Sequence, residues 1–560
     1  MLDKTLRSIS SRVDPAGWLA AGASVAKNAA RNPTAVAAAT GKLALSLAQI
    51  PPDVARVAIG ATAATPVPTD PRFRDSAWQD NPAYFAILRW YLCTRSYVDS
   101  LVDAGADDPA TTAKARQLTN LLLDVAAPSN SPFTNPAVAT RAIATGGKSL
   151  ARGASYLLED LVERGGRPKR IDDTAFTVGE NMAVTPGKVV YRNDLIELIQ
   201  YTPQTEQVHA VPLLACPPWI NKFYIMDIGP GRSFVEWAVR HGRTVFLISY
   251  RNPDESMSEV GFDDYLTDGV SAAMDVALEI TGASTIDLVG LCLGGAMASI
   301  TAGYLAAIDD PRMGTLTLAN TLLDYSSPGE LGLLTDPETL AKVDLVMKRA
   351  GYLDGKDMGQ TFDLLRANDL IFRYWVSRWM LGEPPQAFDL LAWNEDSTRM
   401  PASMHSTYLR TLYGENQLAA GAFTINGQQI SLSKTTCDVY LVGAQDDHIV
   451  PWQSSFAGTA LFGGKVRFVL SNGGHIAGIV NPPGKKSWIE VCGAPENHTA
   501  PTAPTTPEAW RASAERRPVS WWEDWAVWSN KRAGELQAPP AMGSAKHPVV
   551  GSAPGTYVFG

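Results

Sequence analysis

Apolar residues follow two different spacings along this 560-residue chain, and the change between them falls near residue 175. Before that point the sequence is rich in alanine, and apolar residues recur every three or four positions in residues 36–48 and 84–102. This period places apolar side chains on one face of a helix, and proline-containing breaks separate the helical stretches. The pattern predicts a helical N-terminal accessory domain over residues 1–175. Its apolar faces would suit a partner, a second subunit or a hydrophobic surface, or would simply brace the rest of the chain.

From residue 176 onward, short β-rich runs alternate with helical stretches. Residues 188–191 and 195–201 form a candidate hairpin, and residues 211–216 and 244–250 are further apolar runs of strand length. Alternation of this kind predicts a mostly parallel sheet covered by helices, which is an α/β architecture. We therefore predict a second, catalytic domain over residues 176–560.

The alternation stops between about residues 325 and 430, where the sequence is helix-like and rich in aromatic residues. This stretch includes Trp375, Trp379 and Trp393, which fit the core of an inserted subdomain better than a set of substrate contacts. An insertion at this place predicts a cap over an active site, which would exclude water from a reactive intermediate.

The five residues Gly290, Leu291, Cys292, Leu293 and Gly294 directly follow an apolar run of strand length. A sharp strand-to-helix turn holds a nucleophile in a strained conformation and needs small flanking residues, so this G-x-C-x-G pattern predicts a nucleophile elbow with cysteine as the nucleophile. The N-terminal amides of the following helix would favour a thiolate. The alternative interpretation is a glycine-rich turn around an inert buried cysteine.

Two later segments supply a candidate acid and base. Asp447 lies just beyond the β-rich run 439–443, and His475 lies in a glycine-rich loop after the run 466–470. The gap from Cys292 to Asp447 is 447 minus 292, or 155 residues, and the gap from Asp447 to His475 is 475 minus 447, or 28 residues. The order nucleophile, acid, base is that of the α/β hydrolases, and the long first gap requires an insertion. Asp446 remains an alternative acid.

The predicted fold class is therefore an α/β-hydrolase fold with an inserted cap subdomain, preceded by a mostly α-helical N-terminal domain. In this fold the amide after the nucleophile stabilises an oxyanion, which makes Leu293 the first candidate donor. The second donor comes from a loop after an early strand, where the backbone amide of Ile220 or a neighbour is the candidate.

Composition argues against several other classes of protein. The chain has 48 basic and 57 acidic residues, a net charge of −9, so nucleic-acid binding is not expected. Its five cysteines are scattered without a CxxC pair, which indicates reduced thiols and predicts no metal site. Residues 1–7 do not begin a signal peptide and no apolar run approaches twenty residues, so we expect a cytoplasmic protein without a membrane span.

With these motifs the sequence resembles the polyhydroxyalkanoate synthases, most closely the class I enzymes, which act without a second type of subunit. The resemblance is strong over about residues 175–560 and weak before them. One departure is Tyr250, where many members have tryptophan. The motifs that carry the resemblance are PPWINKFYIMD (217–227), SYRNPD (249–254), GLCLGG (290–295), LRANDLI (365–371), DHIVPW (447–452), GHIAG (474–478) and NPP (481–483).

The resemblance implies a polymerase of (R)-3-hydroxyacyl-CoA, with 3-hydroxybutyryl-CoA or a similar short-chain thioester as substrate. Cys292, deprotonated by His475, would attack the thioester, release CoA and carry the growing polyester. Asp447 would orient His475 or help to activate the attacking hydroxyl. Arg366 and Asn416 lie in family-like cap segments and are candidate CoA contacts. No metal or redox cofactor is implied, since CoA is a substrate moiety and a product.

The same resemblance implies a homodimer that becomes attached to a cytoplasmic polyester granule through its insoluble product. Two other functions stay open. A cysteine hydrolase or acyl-CoA thioesterase would use the same triad and pass the acyl group to water. A non-catalytic granule-coating protein would use the helical N-terminal domain for binding and keep the triad as a remnant.

Overall fold

The computed structural model describes residues 15–67, 69–495 and 506–560. Residues 1–7, from which we expect no signal peptide, lie outside the described residues. The chain forms two compact units, the first ending at Asp172 and the second beginning at Asp173. The first unit also takes up residues 357–387, and the second contains residues 173–356 and 388–560. The cap expected at about residues 325–430 is thus divided between the units.

Helices account for most of the first unit and cover the sheet of the second. In chain order they are α1 (Pro15–Ala30), α2 (Pro33–Ala48), α3 (Ile50–Ala58), α4 (Ala77–Asp80), α5 (Pro82–Ala104), α6 (Pro109–Val125), α7 (Pro136–Ala144), α8 (Lys148–Glu163), α9 (Phe234–Arg240), α10 (Phe262–Asp264), α11 (Ala272–Thr281), α12 (Leu293–Ala307), α13 (Pro337–Ala350), α14 (Gly355–Leu365), α15 (Asp389–Glu395), α16 (Ala402–Thr407), α17 (Trp452–Ala457), α18 (His475–Ile479), α19 (Pro507–Ser513) and α20 (Trp521–Asn530). Among the described residues, no helix combines the length and hydrophobicity needed to cross a membrane.

The strands belong to the second unit. They are β1 (Gly187–Arg192), β2 (Ile196–Tyr201), β3 (Val208–His209), β4 (Leu213–Cys216), β5 (Val245–Tyr250), β6 (Ile286–Leu291), β7 (Met313–Ala319), β8 (Tyr352–Leu353), β9 (Met400–Pro401), β10 (Thr424–Ile425), β11 (Gln428–Gln429), β12 (Val439–Ala444), β13 (Val466–Ser471), β14 (Ile489–Val491), β15 (Glu515–Arg517), β16 (Leu536–Gln537) and β17 (Gly551–Ser552).

The helices of the first unit begin where the sequence supplies caps. Asn81 accepts hydrogen bonds from the amides of Ala83 and Tyr84, and Pro82 occupies the first turn, so α5 starts at that point. The predicted helical runs 36–48 and 84–102 are confirmed as α2 and α5. The aromatic rings of Phe73 and Trp78 pack edge to face beneath α5 at 5.3 Å.

Residues 357–387 group with the first unit because their polar groups are bonded there. The side-chain amide of Gln117 in α6 donates to the carbonyls of Leu364 and Leu365 at the end of α14. Arg378 forms a buried ion pair with Asp160 of α8, with 2.7 Å between nitrogen and oxygen. These partners lie 218 to 248 residues apart in the chain, which no local pattern could reveal.

An eleven-stranded sheet forms the centre of the second unit, in the order β15-β14-β13-β12-β7-β6-β4-β5-β2-β1-β17. The six strands from β5 to β13 pair in parallel, and the strands at both edges pair antiparallel. The central strands β6 and β12 are buried along their whole length and are mostly apolar; the buried Asp287 of β6 is ion-paired with Arg243. The predicted hairpin and all the predicted strands are present, and the α/β-hydrolase fold class is confirmed.

The tryptophan-rich helix α20 completes one side of this core. Trp521, Trp522, Trp525 and Trp528 are each at most 2% exposed, and Phe234 of α9 packs among the first three. Ser520 caps the helix and Glu523 completes a capping box. The four tryptophans therefore belong to the hydrophobic core of the second unit.

Candidate active site

Cys292 sits alone between β6 and α12, with φ 51° and ψ −117°. A positive φ is strained for any residue except glycine, so the surrounding structure must hold the turn in place. A Cβ atom on Gly294 would lie 2.0 Å from the carbonyl oxygen of Cys216, and one on Gly295 would lie 1.9 Å from Oγ1 of Thr321. The glycines are thus required by close contacts, as the elbow interpretation predicts.

The first turn of α12 presents free backbone donors beside the cysteine. The amides of Gly295 and Ala296 bond to the carbonyl of Cys292, and no side chain caps the helix. The amides of Leu293 and Gly294 precede the first intrahelical donor, so helix geometry leaves them without an intrahelical acceptor. A thiolate or an oxyanion at this position would meet both amides and the positive end of a 15-residue helix.

Asp447 and His475 are in direct contact. Nδ1 of His475 donates to Oδ2 of Asp447 at 2.7 Å, and both side chains are buried. The other oxygen, Oδ1, accepts from the amides of Ile449 and Val450, each at 2.9 Å. The neighbouring Asp446 is exposed. The structure therefore brings Asp447, not Asp446, to the histidine.

The imidazole of His475 lies near Cys292 as well as Asp447. Burial opposes protonation of this ring, but the charge of Asp447, the nearby sulfur of Cys292 and the hydrogen bond to Asp447 outweigh it, and the pKa of His475 is raised well above its ordinary value. Asp447 and His475 thus form a hydrogen-bonded pair in the interior, with the sulfur of Cys292 beside them at the helix N-terminus. Such an arrangement can activate a thiol as a nucleophile and move a proton to a leaving group.

Three tyrosines also lie close enough to Cys292 for charge on its sulfur to act on them. Burial first, and then repulsion from neighbouring tyrosines and Cys292, raises the pKa values of Tyr325 and Tyr408 well above the ordinary range. Burial, and to a smaller extent Cys292, also raises the pKa of Tyr413. No motif in the sequence marked them, since Tyr325 comes from the loop after β7 and the others from a π-helical turn, Tyr408–Gly414.

The loop that carries Ile220 starts beside the elbow. Cys216 at the end of β4 pairs with Gly290 of β6, and its carbonyl oxygen lies against Gly294. Ile220 follows in a turn, and the next residue, Asn221, forms an isolated antiparallel bridge with Ser397. An oxyanion contact from the Ile220 amide stays a prediction.

Asn416 and Arg366 lie in different units. The side chain of Asn416 accepts from the amide of Tyr325 and donates to Asp324, both at 2.8 Å, so it braces the loop that carries Tyr325. Arg366 belongs to the first unit, where its guanidinium pairs with Asp369. Their contact with CoA stays a prediction. Within the described ranges, no cluster of three or more histidine, cysteine or acidic side chains could hold a metal ion.

The chain is similar to known proteins in its fold and over most of its length. Residues 69–238 match the family model described as poly-beta-hydroxybutyrate polymerase (PhaC) N-terminus, and residues 229–482 match that of the alpha/beta hydrolase fold. The chain is 39% identical over 507 residues to poly(3-hydroxyalkanoate) polymerase 1 of Ectopseudomonas oleovorans, covering 90% of this chain and 89% of the relative. It is 40% identical over 496 residues to the poly(3-hydroxyalkanoate) polymerase of Methylorubrum extorquens, covering 88% of this chain and 81% of the relative.

A third relative, the poly(3-hydroxyalkanoate) polymerase subunit PhaC of Cupriavidus necator, is 38% identical over 509 residues, covering 90% of this chain and 85% of the relative. Similarity at this level extends over more than four fifths of each of these relatives. The chain belongs to the poly(3-hydroxyalkanoate) polymerase family.

Proposed function

We propose that this protein polymerises (R)-3-hydroxyacyl-CoA into polyhydroxyalkanoate and releases CoA, with the acyl chain carried on Cys292. The observation that carries the proposal is the hydrogen-bonded pair His475–Asp447 next to Cys292 at the N-terminus of α12, in a chain of this family. A thiolate suits a thioester substrate because exchange between two thioesters costs little free energy.

In the first step the sulfur of Cys292 attacks the thioester carbonyl carbon. The new carbon–sulfur bond forms, the bond to the CoA sulfur breaks, and His475 gives a proton to the departing thiolate. The negative charge that develops on the carbonyl oxygen is stabilised by the Leu293 amide and by a second amide near Ile220. This step yields acyl-Cys292 and free CoA.

In the second step a 3-hydroxyl attacks acyl-Cys292. His475 removes the hydroxyl proton, the ester bond forms, and the sulfur of Cys292 leaves as the thiolate. Asp447 accepts the hydrogen bond from Nδ1 throughout, so Nε2 faces the reacting atoms. The reaction is an acyl transfer in which no atom changes oxidation state, and it needs no metal or redox cofactor.

The finer assignments belong to the same proposal. The enzyme is of the class I type, acts as a homodimer on short-chain substrates such as 3-hydroxybutyryl-CoA, and works at the surface of a cytoplasmic granule. Exposed apolar side chains in the first unit support a hydrophobic contact surface, notably Phe133 at 93%, Val162 at 85% and Ile143 at 83% exposure.

The test is incubation of the purified protein with (R)-3-hydroxybutyryl-CoA, with CoA thiol release and insoluble polyester both measured. Cys292→Ala should lose both activities, while Cys437→Ala, which removes a thiol whose pKa burial raises to about 12, serves as the matched control. Cysteine-dependent release with only free 3-hydroxybutyrate would make the protein a hydrolase. No CoA release by the wild-type protein, with granule binding in cells retained by Cys292→Ala, would favour the coating-protein alternative.

A further inference from the structure

Tyr325 carries a buried hydroxyl group for which the described residues provide no hydrogen-bond partner. The side chain is only 3% exposed. A buried hydroxyl without a partner is unfavourable, and in a native protein such a group requires an explanation. A polar atom of a bound substrate would supply the missing acceptor.

The backbone fixes Tyr325 beside the candidate active site. It follows β7, whose end is joined to the base because Asn320 donates its side-chain amide to the carbonyl of His475. The next residue, Thr321, lies against Gly295 of the elbow, and its carbonyl accepts from Ser455. The loop that carries Tyr325 therefore begins beside both the nucleophile and the base, and Tyr325 lies close enough to Cys292 for the two groups to interact electrostatically.

The ring of Tyr325 is held as firmly as its backbone. Its amide donates to Oδ1 of Asn416 at 2.8 Å, and its ring packs edge to face on Tyr413 with 4.8 Å between the centroids. The phenol is neutral because burial raises its pKa well above the ordinary range, so it is a donor. Among these three tyrosines, Tyr325 is the one whose hydroxyl is both buried and without a hydrogen-bond partner among the described residues.

The polar atoms of a 3-hydroxyacyl group limit what this hydroxyl can contact. The carbonyl oxygen faces the helix amides and the sulfur is Cys292 itself, so the oxygen on C3 is the polar atom that remains near the nucleophile. It is a hydroxyl in the monomer and an ester oxygen in the growing chain, and it can accept a hydrogen bond in both forms.

We propose that Tyr325 is a specificity-determining residue whose hydroxyl donates a hydrogen bond to the C3 oxygen of the acyl group on Cys292. The proposal rests on the proposed function and adds to it a reason for selecting 3-hydroxyacyl groups over unsubstituted ones. A site that hydrogen-bonds a substrate hydroxyl rejects the analogue that lacks it far more strongly than an apolar pocket can.

The test compares first-turnover CoA release from (R)-3-hydroxybutyryl-CoA and from butyryl-CoA. The wild-type protein should react faster with the hydroxyacyl substrate, and Tyr325→Phe should reduce the ratio of the two rate constants by about 10-fold or more, chiefly by slowing the hydroxyacyl reaction. The matched control is Tyr250→Phe, which also removes a buried hydroxyl that has no partner among the described residues, but one whose neighbours are Cys216 and Tyr265. It should keep the wild-type ratio.

The outcomes separate the two proposals. Cysteine-dependent CoA release by the wild-type protein with an unchanged ratio in Tyr325→Phe would overturn the role of Tyr325 and leave the proposed function intact. If the wild-type protein released CoA from the two thioesters with nearly equal rate constants, the role of Tyr325 would be overturned without any variant. No CoA release by the wild-type protein from either thioester would overturn the proposed function and, with it, the inference.

Discussion

The side-chain amide of Asn320 donates a hydrogen bond to the backbone carbonyl of His475, 155 residues further along the chain. Asn320 is fully buried at the end of β7 and has φ 48°, a left-handed conformation that asparagine tolerates better than most residues. Its own amide donates to the carbonyl of Val442 in β12. One residue thus joins the strand beside the elbow to the loop of the base.

Asn320→Gly should impair His475 as a base, although Asn320 itself does not contact a substrate. Glycine accepts the positive φ, so the change removes the side-chain donor and leaves the carbonyl of His475 without it. We expect a loss of about 1–3 kcal/mol in the free energy of unfolding. Misplacement of the imidazole should lower the rate of CoA release by roughly 10- to 100-fold.

The control for this substitution is Asn426→Gly, since Asn426 has nearly the same φ of 46° on an exposed hairpin turn. Chemical denaturation and initial rates of CoA release measure both variants. A wild-type rate in Asn320→Gly, with Asn426→Gly also normal, would mean that the base is positioned by other contacts.

Asp447→Asn should separate the two chemical steps. Loss of the carboxylate removes the charge that raises the pKa of His475 and favours the wrong tautomer of the ring. We expect acylation to persist at a reduced rate while elongation falls by about 100-fold or more. Measurement of the CoA burst and of polymer length distinguishes the steps.

Asp446→Asn is the matched comparison, because Asp446 is adjacent and exposed. It should behave as the wild-type protein does in both steps. If Asp447→Asn were unaffected and Asp446→Asn impaired, the assignment of the acid would be reversed.

The elbow, the acid and the base could be predicted from sequence because each requires residue types at short local spacings. Gly290, Cys292 and Gly294 fit a turn whose sterics are set within five residues. Asp447 and His475 each follow a strand that reads as an apolar run. Parallel strands then bring their carboxyl ends to one edge of the sheet, so the local motifs determine the site.

The residues around this site could not be predicted in the same way. Tyr325 lies on a loop braced by Asn416, 91 residues away, and no spacing rule links the two. Residues 357–387 join the helical unit because Arg378 meets Asp160 there. Such contacts depend on the tertiary path of the chain and produce no periodic pattern in the sequence.

His405 should make the second unit sensitive to mild acid. The ring is 2% exposed, and burial lowers its pKa to about 4 against the opposing influence of Asp344. The unfolded chain binds a proton near pH 6.5 and the folded chain does not, so the unfolded state holds more protons between pH 6.5 and 4 and stability falls as the pH falls. The full loss is about 3 kcal/mol.

Replacement of this histidine by a neutral residue should reduce that sensitivity. We expect His405→Gln to lose less unfolding free energy between pH 7 and pH 5 than the wild-type protein, as measured by urea denaturation. His547→Gln, at a half-buried histidine next to Tyr191, provides the comparison and should keep the wild-type slope. Equal slopes for all three proteins would show that the acid sensitivity has another source.

Gly294 and Gly295 should respond differently to the addition of a methyl group. Alanine favours a helix interior over glycine by about 1 kcal/mol, so both substitutions would help α12 if space allowed. At Gly295 the new Cβ would lie 1.9 Å from Oγ1 of Thr321, a side-chain atom, whereas at Gly294 it would lie 2.0 Å from the backbone oxygen of Cys216. Both single variants should lose CoA release because the elbow must shift.

Only the clash at Gly295 can be relieved by a second substitution. In Gly295→Ala/Thr321→Ala the obstructing hydroxyl and methyl are gone, and the remaining Cβ of Thr321 lies 2.9 Å away, so a small shift should restore part of the activity. Gly294→Ala combined with Thr321→Ala should stay inactive, since the backbone of β4 cannot be removed. Recovery of both double variants to the same rate of CoA release would show that the elbow is not set by these contacts.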